Sequence, residues 1–287
     1  MTDWGRVEAD LGTHITQRKR IAGGDINEAW LLDLSDGRRV FLKTHAKGPD
    51  GMFPAEKAGL IWLDQAQAIR TPKVLSVWNG EGGHGGYLCL SFVEGGRRGF
   101  DFDEVLGQQL AALHRSAPAQ FGLATNNFIG RLDQDNTEDT DWARFYWERR
   151  IWPQVRLAHQ TGRVERGFVE AFDALQKVLS ERIGPKEPPA RLHGDLWAGN
   201  YMSDRDGRPV LIDPAVYGGH REVDLAMMRL FGGFSETVFQ SYHEAFPLSP
   251  GWELRVPLYQ LYPVLVHVNL FGGSYGNQAK ALLRQIL

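Results

Sequence analysis

Asp195, Asn200 and Asp213 follow one another at intervals of five and thirteen residues. They lie in His193-Gly194-Asp195-Leu196-Trp197-Ala198-Gly199-Asn200 and in the strand-like run Val210-Leu211-Ile212-Asp213. A carboxylate that accepts a hydroxyl proton, with two oxygen ligands for magnesium, is a minimal apparatus for phosphoryl transfer. The charge of ATP has to be neutralised while the phosphoryl group moves. Asp195 is therefore the candidate base. Asn200 and Asp213 are the candidate magnesium ligands, with turn chemistry and a strand-end carboxylate as their alternatives. His193 is expected to pack and hydrogen-bond within this loop rather than titrate. Asp224 opens a later helix, where it either accepts N–H bonds from the catalytic loop or caps its own helix.

Such a reaction also needs groups that hold a nucleotide. Lys43 ends a strand of apolar residues, and Glu56 follows thirteen residues later on a helix. A lysine on a sheet needs a counter-charge, and a helix carboxylate can hold it against the α- and β-phosphates. Ala22-Gly23-Gly24-Asp25-Ile26-Asn27 falls between the first two strands, where Gly23, Gly24 and Asp25 form a hairpin turn that could cover phosphates. It is not a Walker A loop, because the terminal Gly-Lys-Ser/Thr is missing. Ser91, Phe92 and Val93, with Glu94, leave the last strand of this half. They are expected to form a hinge whose backbone bonds adenine.

The elements that position these groups change character along the chain. Residues 19 to 45 alternate and break at Gly23-Gly24 and Asp36-Gly37, which predicts strands joined by tight turns. Val40 to Lys43 is the third strand. Pro54 opens a helix that places Glu56, Leu60 and Leu63 on one face. Pro72 to Val77 and Tyr87 to Val93 are two further strands. After Gly95-Gly96, the period turns helical: Leu106, Leu110 and Leu113 mark one helix, and Phe168, Phe172, Leu175 and Leu179 another. Helices are also expected at about 235–246, 253–271 and 276–286, with Pro257 and Pro263 kinking the second of these. The fold class is α+β, in two lobes. Residues 1–94 form a small β-rich, nucleotide-holding lobe, and residues 95–287 a larger, mainly helical lobe with the catalytic loop and acceptor site.

Composition narrows the setting. A chain of 287 residues, 43% of them hydrophobic, is long enough to bury a core in each lobe. Net charge is −3, which leaves no global basic footprint for nucleic acid. Arg18-Lys19-Arg20 is too short to change that. No apolar run reaches the roughly 18 residues of a membrane span, and no secretory signal opens the chain. The single Cys89 lies in an apolar strand, as a reduced core thiol would. The expected protein is soluble, cytoplasmic and monomeric.

The whole chain resembles the fructosamine/ketosamine 3-kinase family, within the aminoglycoside-phosphotransferase-like branch of the protein-kinase-like superfamily. The Trp197 that follows His-Gly-Asp-Leu is one point of similarity. Asn127-Phe128-Ile129-Gly130-Arg131-Leu132-x-Gln134-x-Asn136, with Trp142, Phe145 and Arg149, is a second. Asp213-Pro214-Ala215 and the run from Gly218 to Phe234 also match. The resemblance implies a protein-kinase-like fold and ATP-dependent phosphorylation, with Mg2+, of the 3-hydroxyl of a ketosamine, either free or protein-bound. The phosphorylated adduct would then lose its sugar and free the amine. Some members carry a Cys in the Gly-rich loop, where this chain has Asp25 or Ile26, so redox dimerisation by that route is not implied.

Substrate contacts are less sharply marked. Trp197 either stacks on the sugar or packs between loop and helices. Trp142, Phe145, Tyr146 and Trp152 form a stripe expected in the core. Arg149 and Arg150 are expected to be solvated, and the Asn126–Asn136 loop is a candidate flap over substrate. Aminoglycoside, choline or homoserine kinases of the same superfamily remain alternatives. Asp133, Asp135, Glu138, Asp139 and Asp141 would suit a polycationic acceptor. A nucleotide-binding pseudokinase module is the alternative from outside the enzymes.

Overall fold

The computed structural model describes residues 2–21, 28–45, 48–81 and 85–287. In chain order, the first elements are α1 (Trp4–Leu11), β1 (Ile15–Ile21), β2 (Glu28–Leu34), β3 (Arg39–Thr44), α2 (Met52–Asp64), β4 (Val74–Trp78) and β5 (Tyr87–Ser91). Then come α3 (Phe102–Arg115), β6 (Asn127–Ile129), β7 (Leu132–Gln134), α4 (Trp142–Phe145), a π-helical turn (Tyr146–Ile151), α5 (Trp152–Gln160) and α6 (Arg166–Arg182). Four short strands follow: β8 (Ala190–Leu192), β9 (Tyr201–Ser203), β10 (Pro209–Leu211) and β11 (Tyr217–Gly219). Helices α7 (Glu222–Leu230), α8 (Glu236–Ala245), α9 (Trp252–Phe271) and α10 (Tyr275–Ile286) complete the chain.

Two compact units emerge from the contacts. The first comprises residues 1–102 and 202–214, the second residues 103–201 and 215–287. The first unit is built on an antiparallel five-stranded sheet of order β1-β2-β3-β5-β4. Its two faces are covered separately. Val40, Leu42 and Cys89 face Val7 and Leu11 of α1, while Phe41, Leu88 and Leu90 face Phe53 and Leu60 of α2. The period of two along β3 makes this division unavoidable. Helix α1 was not anticipated from the sequence, although Asp3 caps it through the Arg6 N–H and Val7 and Leu11 lie four apart. Burial pushes the Cys89 thiol up to about 12, which fits an inert core cysteine. The returning segment 202–214 is tied to this unit by backbone bonds: Gly96 N–H to Ser203 O (3.0 Å), Gly99 N–H to Gly207 O (3.1 Å) and Leu211 N–H to Arg70 O (2.9 Å).

The second unit is helical, apart from the hairpin β6-β7 and the pair β8-β11. Its core joins the stripe Phe168, Phe172, Leu175 and Leu179 of α6 to Tyr259, Leu261 and Val264 of α9. Phe145 and Tyr146 are fully buried in this core and Trp142 nearly so, as the stripe predicted. Helices α8, α9 and α10 begin and end within a residue of their expected bounds. Pro257 and Pro263 lie inside α9. Among the described residues, no helix is long and apolar enough to cross a membrane.

A cluster of buried charge braces this unit. Arg221 forms two bonds to Glu187 (2.7 and 2.8 Å), and Arg255 forms two to Glu222 (2.8 and 2.6 Å). His220 sits among them, stacked on Tyr259 with ring centroids 5.4 Å apart. Burial lowers its pKa to about 4; Arg221 and Arg255 add to the shift, and Glu187 opposes it. An unfolded histidine titrates near 6.5, so the unfolded chain takes up a proton that the folded one refuses. The associated stability is complete above about pH 6.5 and is lost as pH falls toward 4. His220→Phe should shrink the drop in unfolding free energy between pH 7 and pH 5 by about 2 kcal/mol. Urea unfolding at both pH values checks this, and an unchanged drop would assign the acid sensitivity elsewhere.

Candidate active site

In the first unit, charge gathers around Lys43. Phe41 and Lys43 share the β3 face that packs on α2, so the ammonium emerges beside Glu56. Lys43 Nζ donates to Glu56 Oε1 at 2.6 Å and also to the Asp213 carboxylate. Burial disfavours the ammonium, but Asp213 and Glu56 outweigh it and raise its pKa. Burial lifts the Glu56 carboxyl, with the charge of Lys43 opposing. One cation thus serves two carboxylates. Asp213 has φ +55°, a left-handed conformation that is rare for any side chain and rarer before a proline, here Pro214.

Ser91 closes the β3–β5 ladder opposite Val40. It bonds Lys73 twice, from its own N–H to Lys73 O at 2.8 Å and from Lys73 N–H to Ser91 Oγ at 2.9 Å. Beyond it, Arg39 lies over the Phe92 ring at 4.8 Å and pairs with Glu94 at 3.1 Å, while Val93 is half-buried. Gly23, Gly24 and Asp25 lie outside the described residues.

In the second unit, the loop 193–200 hangs from one carboxylate. Asp224 accepts the His193 N–H at 2.8 Å, the Gly194 N–H at 2.9 Å and a bond from His114 Nε2 at 3.1 Å. It is fully buried. Burial alone would raise its pKa, but these donors and the nearby histidines lower it. Of its two anticipated roles, Asp224 therefore takes the bonds to the loop. Gly194 has φ +82°, and a Cβ there would stand 2.0 Å from Ala215 O, so only glycine fits. The buried His193 ring accepts the Asp195 N–H on Nδ1 at 3.3 Å. Asn200 Nδ2 donates to Asp195 O (2.8 Å) and to Asp195 Oδ2 (3.0 Å), which couples the two side chains. Trp197 is 39% exposed and meets Phe231 edge-on at 6.2 Å.

The hairpin β6-β7 does something other than expected. Its signature amides are buried, and they grip the chain that follows Pro214. Asn127 Nδ2 donates to Val216 O at 2.8 Å, and Gln134 Nε2 donates to Ala215 O at 3.1 Å and to Asn127 Oδ1 at 2.8 Å. Asn136 Nδ2 donates to Asn127 Oδ1 at 2.9 Å. Arg150, expected to be solvated, is 0% exposed. It donates to Asn136 Oδ1 and Asp135 O, both at 2.6 Å, and stacks on Tyr217 at 3.9 Å. These residues make a buried brace rather than a flap over substrate. A guanidinium can be buried here because three aromatic faces and several acceptors replace its water.

A fructosamine kinase family profile matches residues 5–287. The chain belongs to the fructosamine kinase family. The fold is shared more widely: a crystal structure of an aminoglycoside phosphotransferase superposes with a TM-score of 0.63 at 16% identity, covering 98% of each chain. A protein of Enterococcus faecium, provisionally named a ketoamine kinase, is 39% identical over 264 residues, which span 92% of each chain. A chloroplastic protein-ribulosamine 3-kinase of Oryza sativa subsp. indica is 35% identical over 96% of this chain and 80% of its own. A crystal structure from Thermobifida fusca, provisionally assigned as a fructosamine-3-kinase, superposes with a TM-score of 0.90 at 36% identity. It covers 99% of this chain and 97% of its own.

For this fructosamine kinase family member, the sequence marked Asn127, Gln134 and Asn136 as a signature without showing what they bind. His114, which bonds Asp224 and Tyr242, belongs to no motif of the sequence. Its signal was available, since it continues the Leu106–Leu110 face of α3 at a spacing of four. Arg150→Lys should cost about 3 kcal/mol of stability, because an ammonium cannot satisfy the same acceptors while stacked on the rings. Chemical denaturation measures the loss, and a change below about 1 kcal/mol would mean that the network is dispensable.

Proposed function

We propose that this protein transfers the γ-phosphoryl group of ATP to the 3-hydroxyl of a ketosamine, so that the sugar is later lost from the amine. Kinase activity on sugar–amine adducts of this type follows from membership of the family. The observation that carries the site assignment is Lys43 shared between Glu56 and Asp213. One carboxylate already neutralises the ammonium, so the second leaves the cluster with a net negative charge. A surplus negative charge beside a nucleotide-holding lysine suits a further cation. Asp213, with its side chain 43% exposed, is open to one, whereas the Glu56 side chain is 13% exposed.

Among the described residues, no group of three or more His, Cys, Asp or Glu side chains could hold a metal ion alone. The donor set fits Mg2+ nevertheless, because magnesium takes one or two protein oxygens and fills the rest with phosphates and water. Asp213 and Asn200 would hold it, and the ion would neutralise charge on the transferring phosphates. Lys43, oriented by Glu56, would bind the α- and β-phosphates. The Gly23-Gly24-Asp25 turn would cover them, and the backbone of Ser91, Phe92 and Val93 would bind adenine. Asp195 would take the proton of the acceptor hydroxyl as its oxygen bonds to phosphorus and ADP leaves. His193 and Asp224 hold that loop in shape, and Trp197 would line the sugar. Free or protein-bound ketosamines are the proposed acceptors, for a monomeric cytoplasmic enzyme without nucleic-acid or membrane partners.

The aminoglycoside reading loses its main support. Asp139 is held by Arg144 at 2.7 and 2.5 Å, Asp135 by Thr137 at 2.8 Å, and Asp141 caps α4 through the Arg144 N–H. These carboxylates serve their own loop. ATP consumption against ribulose-lysine, fructose-lysine, kanamycin, choline and homoserine tests the acceptor. Phosphate on kanamycin but on neither ketosamine would overturn the assignment, and nucleotide binding without turnover on any acceptor would indicate a pseudokinase. Asp195→Asn should lower turnover about 10²- to 10⁴-fold while nucleotide affinity survives. Asp213→Ala should weaken magnesium-dependent nucleotide binding; affinity that stays the same at every magnesium concentration would remove its ligand role.

A further inference from the structure

Exposed aromatic rings are concentrated in one place. Among the described residues, Trp197, Phe231 and Phe271 are 39%, 42% and 49% exposed, and of the large exposed aromatics only Phe100 lies elsewhere. Edge-on contact joins Trp197 to Phe231 at 6.2 Å, and Phe231 meets the His267 ring at 5.2 Å. His267 in turn touches Phe271 at 5.4 Å and Tyr275 at 4.9 Å. The turn between α9 and α10 brings these last rings together. Gly272 and Gly273 take φ +70° and +60°, so Phe271 ends one helix and Tyr275 opens the next, around the same imidazole.

The patch is continuous with the proposed catalytic loop. His267, Tyr262 and Pro263 line a narrow hollow of about 20 Å³ together with Gly194 and Asp195. That hollow holds a water-sized group and no sugar. The His267 Nδ1–H donates to Pro263 O at 2.7 Å, which fixes the ring between hollow and patch. A row of exposed rings leading away from a base has a cost in water, and contiguous patches of this kind mark binding surfaces. Its chemistry is apolar, with ring faces that also favour an ammonium.

Building on the ketosamine-kinase reading, we infer that Phe231, His267, Phe271 and Tyr275 form the subsite for the amine side of the adduct, and that its occupant is the alkyl stem of a lysine side chain. The ketosamine nitrogen is a protonated secondary amine followed by four methylenes in a lysine adduct. Trp197 and Phe231 flank the ammonium, and the remaining rings cover the stem. The subsite selects for the length of the stem and leaves the chemical step unchanged.

Steady-state kinetics on two ribulosamines test this: the adduct of methylamine, which has no stem, and the adduct of Nα-acetyl-lysine amide. The parent enzyme should show a KM for the lysine adduct about tenfold lower than for the methylamine adduct, with similar kcat, since a fully buried methylene is worth about fourfold and an open surface covers only part of the stem. Phe271→Ala and Phe231→Ala should each reduce that KM ratio toward one, and Leu254→Ala, an exposed apolar residue elsewhere on α9, should preserve it. Equal KM values in the parent enzyme would overturn the inference, as would a ratio that survives both phenylalanine substitutions. Failure to phosphorylate either adduct would instead count against the ketosamine-kinase reading itself.

Discussion

A single buried carboxylate sets the shape of the loop 193–200. Asp224 has no contact with water, and its oxygens take two consecutive backbone N–H groups and a histidine. A carboxylate in such a place is tolerable only when every lone pair finds a donor. The loop therefore cannot relax without exposing an unpaired charge. Gly194 supplies the left-handed turn that lets both N–H groups point the same way, and the His193 O accepts the Ala215 N–H at 2.9 Å from the other side. Asp195 and Asn200 inherit their mutual geometry from this frame.

The segment after Pro214 is held with similar redundancy. The β6-β7 amides bond Ala215 and Val216, and Arg150 locks the hairpin from beneath by bonding Asn136. Tyr262 completes the chain, donating to Gln134 Oε1 at 2.7 Å. Buried polar networks of this kind are favourable only when nearly complete, and they tolerate few substitutions. A functional surface with exact geometry requirements gains from such a support, because apolar packing alone allows more side-chain freedom. The first unit achieves rigidity differently. There the five-stranded sheet is sandwiched between α1 and α2, and Lys43 is placed by the strand period alone.

Much of this was legible in the residues. Strands of period two, helices of period 3.6 and glycine turns are local properties, and β3, α2, α6, α8 and α10 all fell where their patterns put them. Helix α1 is amphipathic, with Trp4, Val7 and Leu11 at i, i+3 and i+7 behind the Asp3 cap, but at eight residues its signal spans barely two turns. Arg150 departs from the solvated position expected of it for a different reason. An arginine near the end of a polar stretch is usually solvated, and nothing local indicates that Tyr217, 67 positions away, will supply a ring face. The signature amides posed the same difficulty, since their partners lie some 80 to 90 residues downstream.

The order of residues alone supplies an inventory and its spacing: a candidate base, two candidate oxygen ligands, a lysine on a strand and a carboxylate on the next helix. Those features depend on neighbours within a turn or a strand, where backbone geometry dictates which side chains share a face. Packing of whole elements is what shares Lys43 with a carboxylate 170 residues away, places segment 202–214 with the first unit, and joins five aromatic rings from three stretches of chain in one surface. Contacts between distant residues arise from how whole elements pack. The free energy that selects them is spread over the core and is not written in any one stretch of the chain.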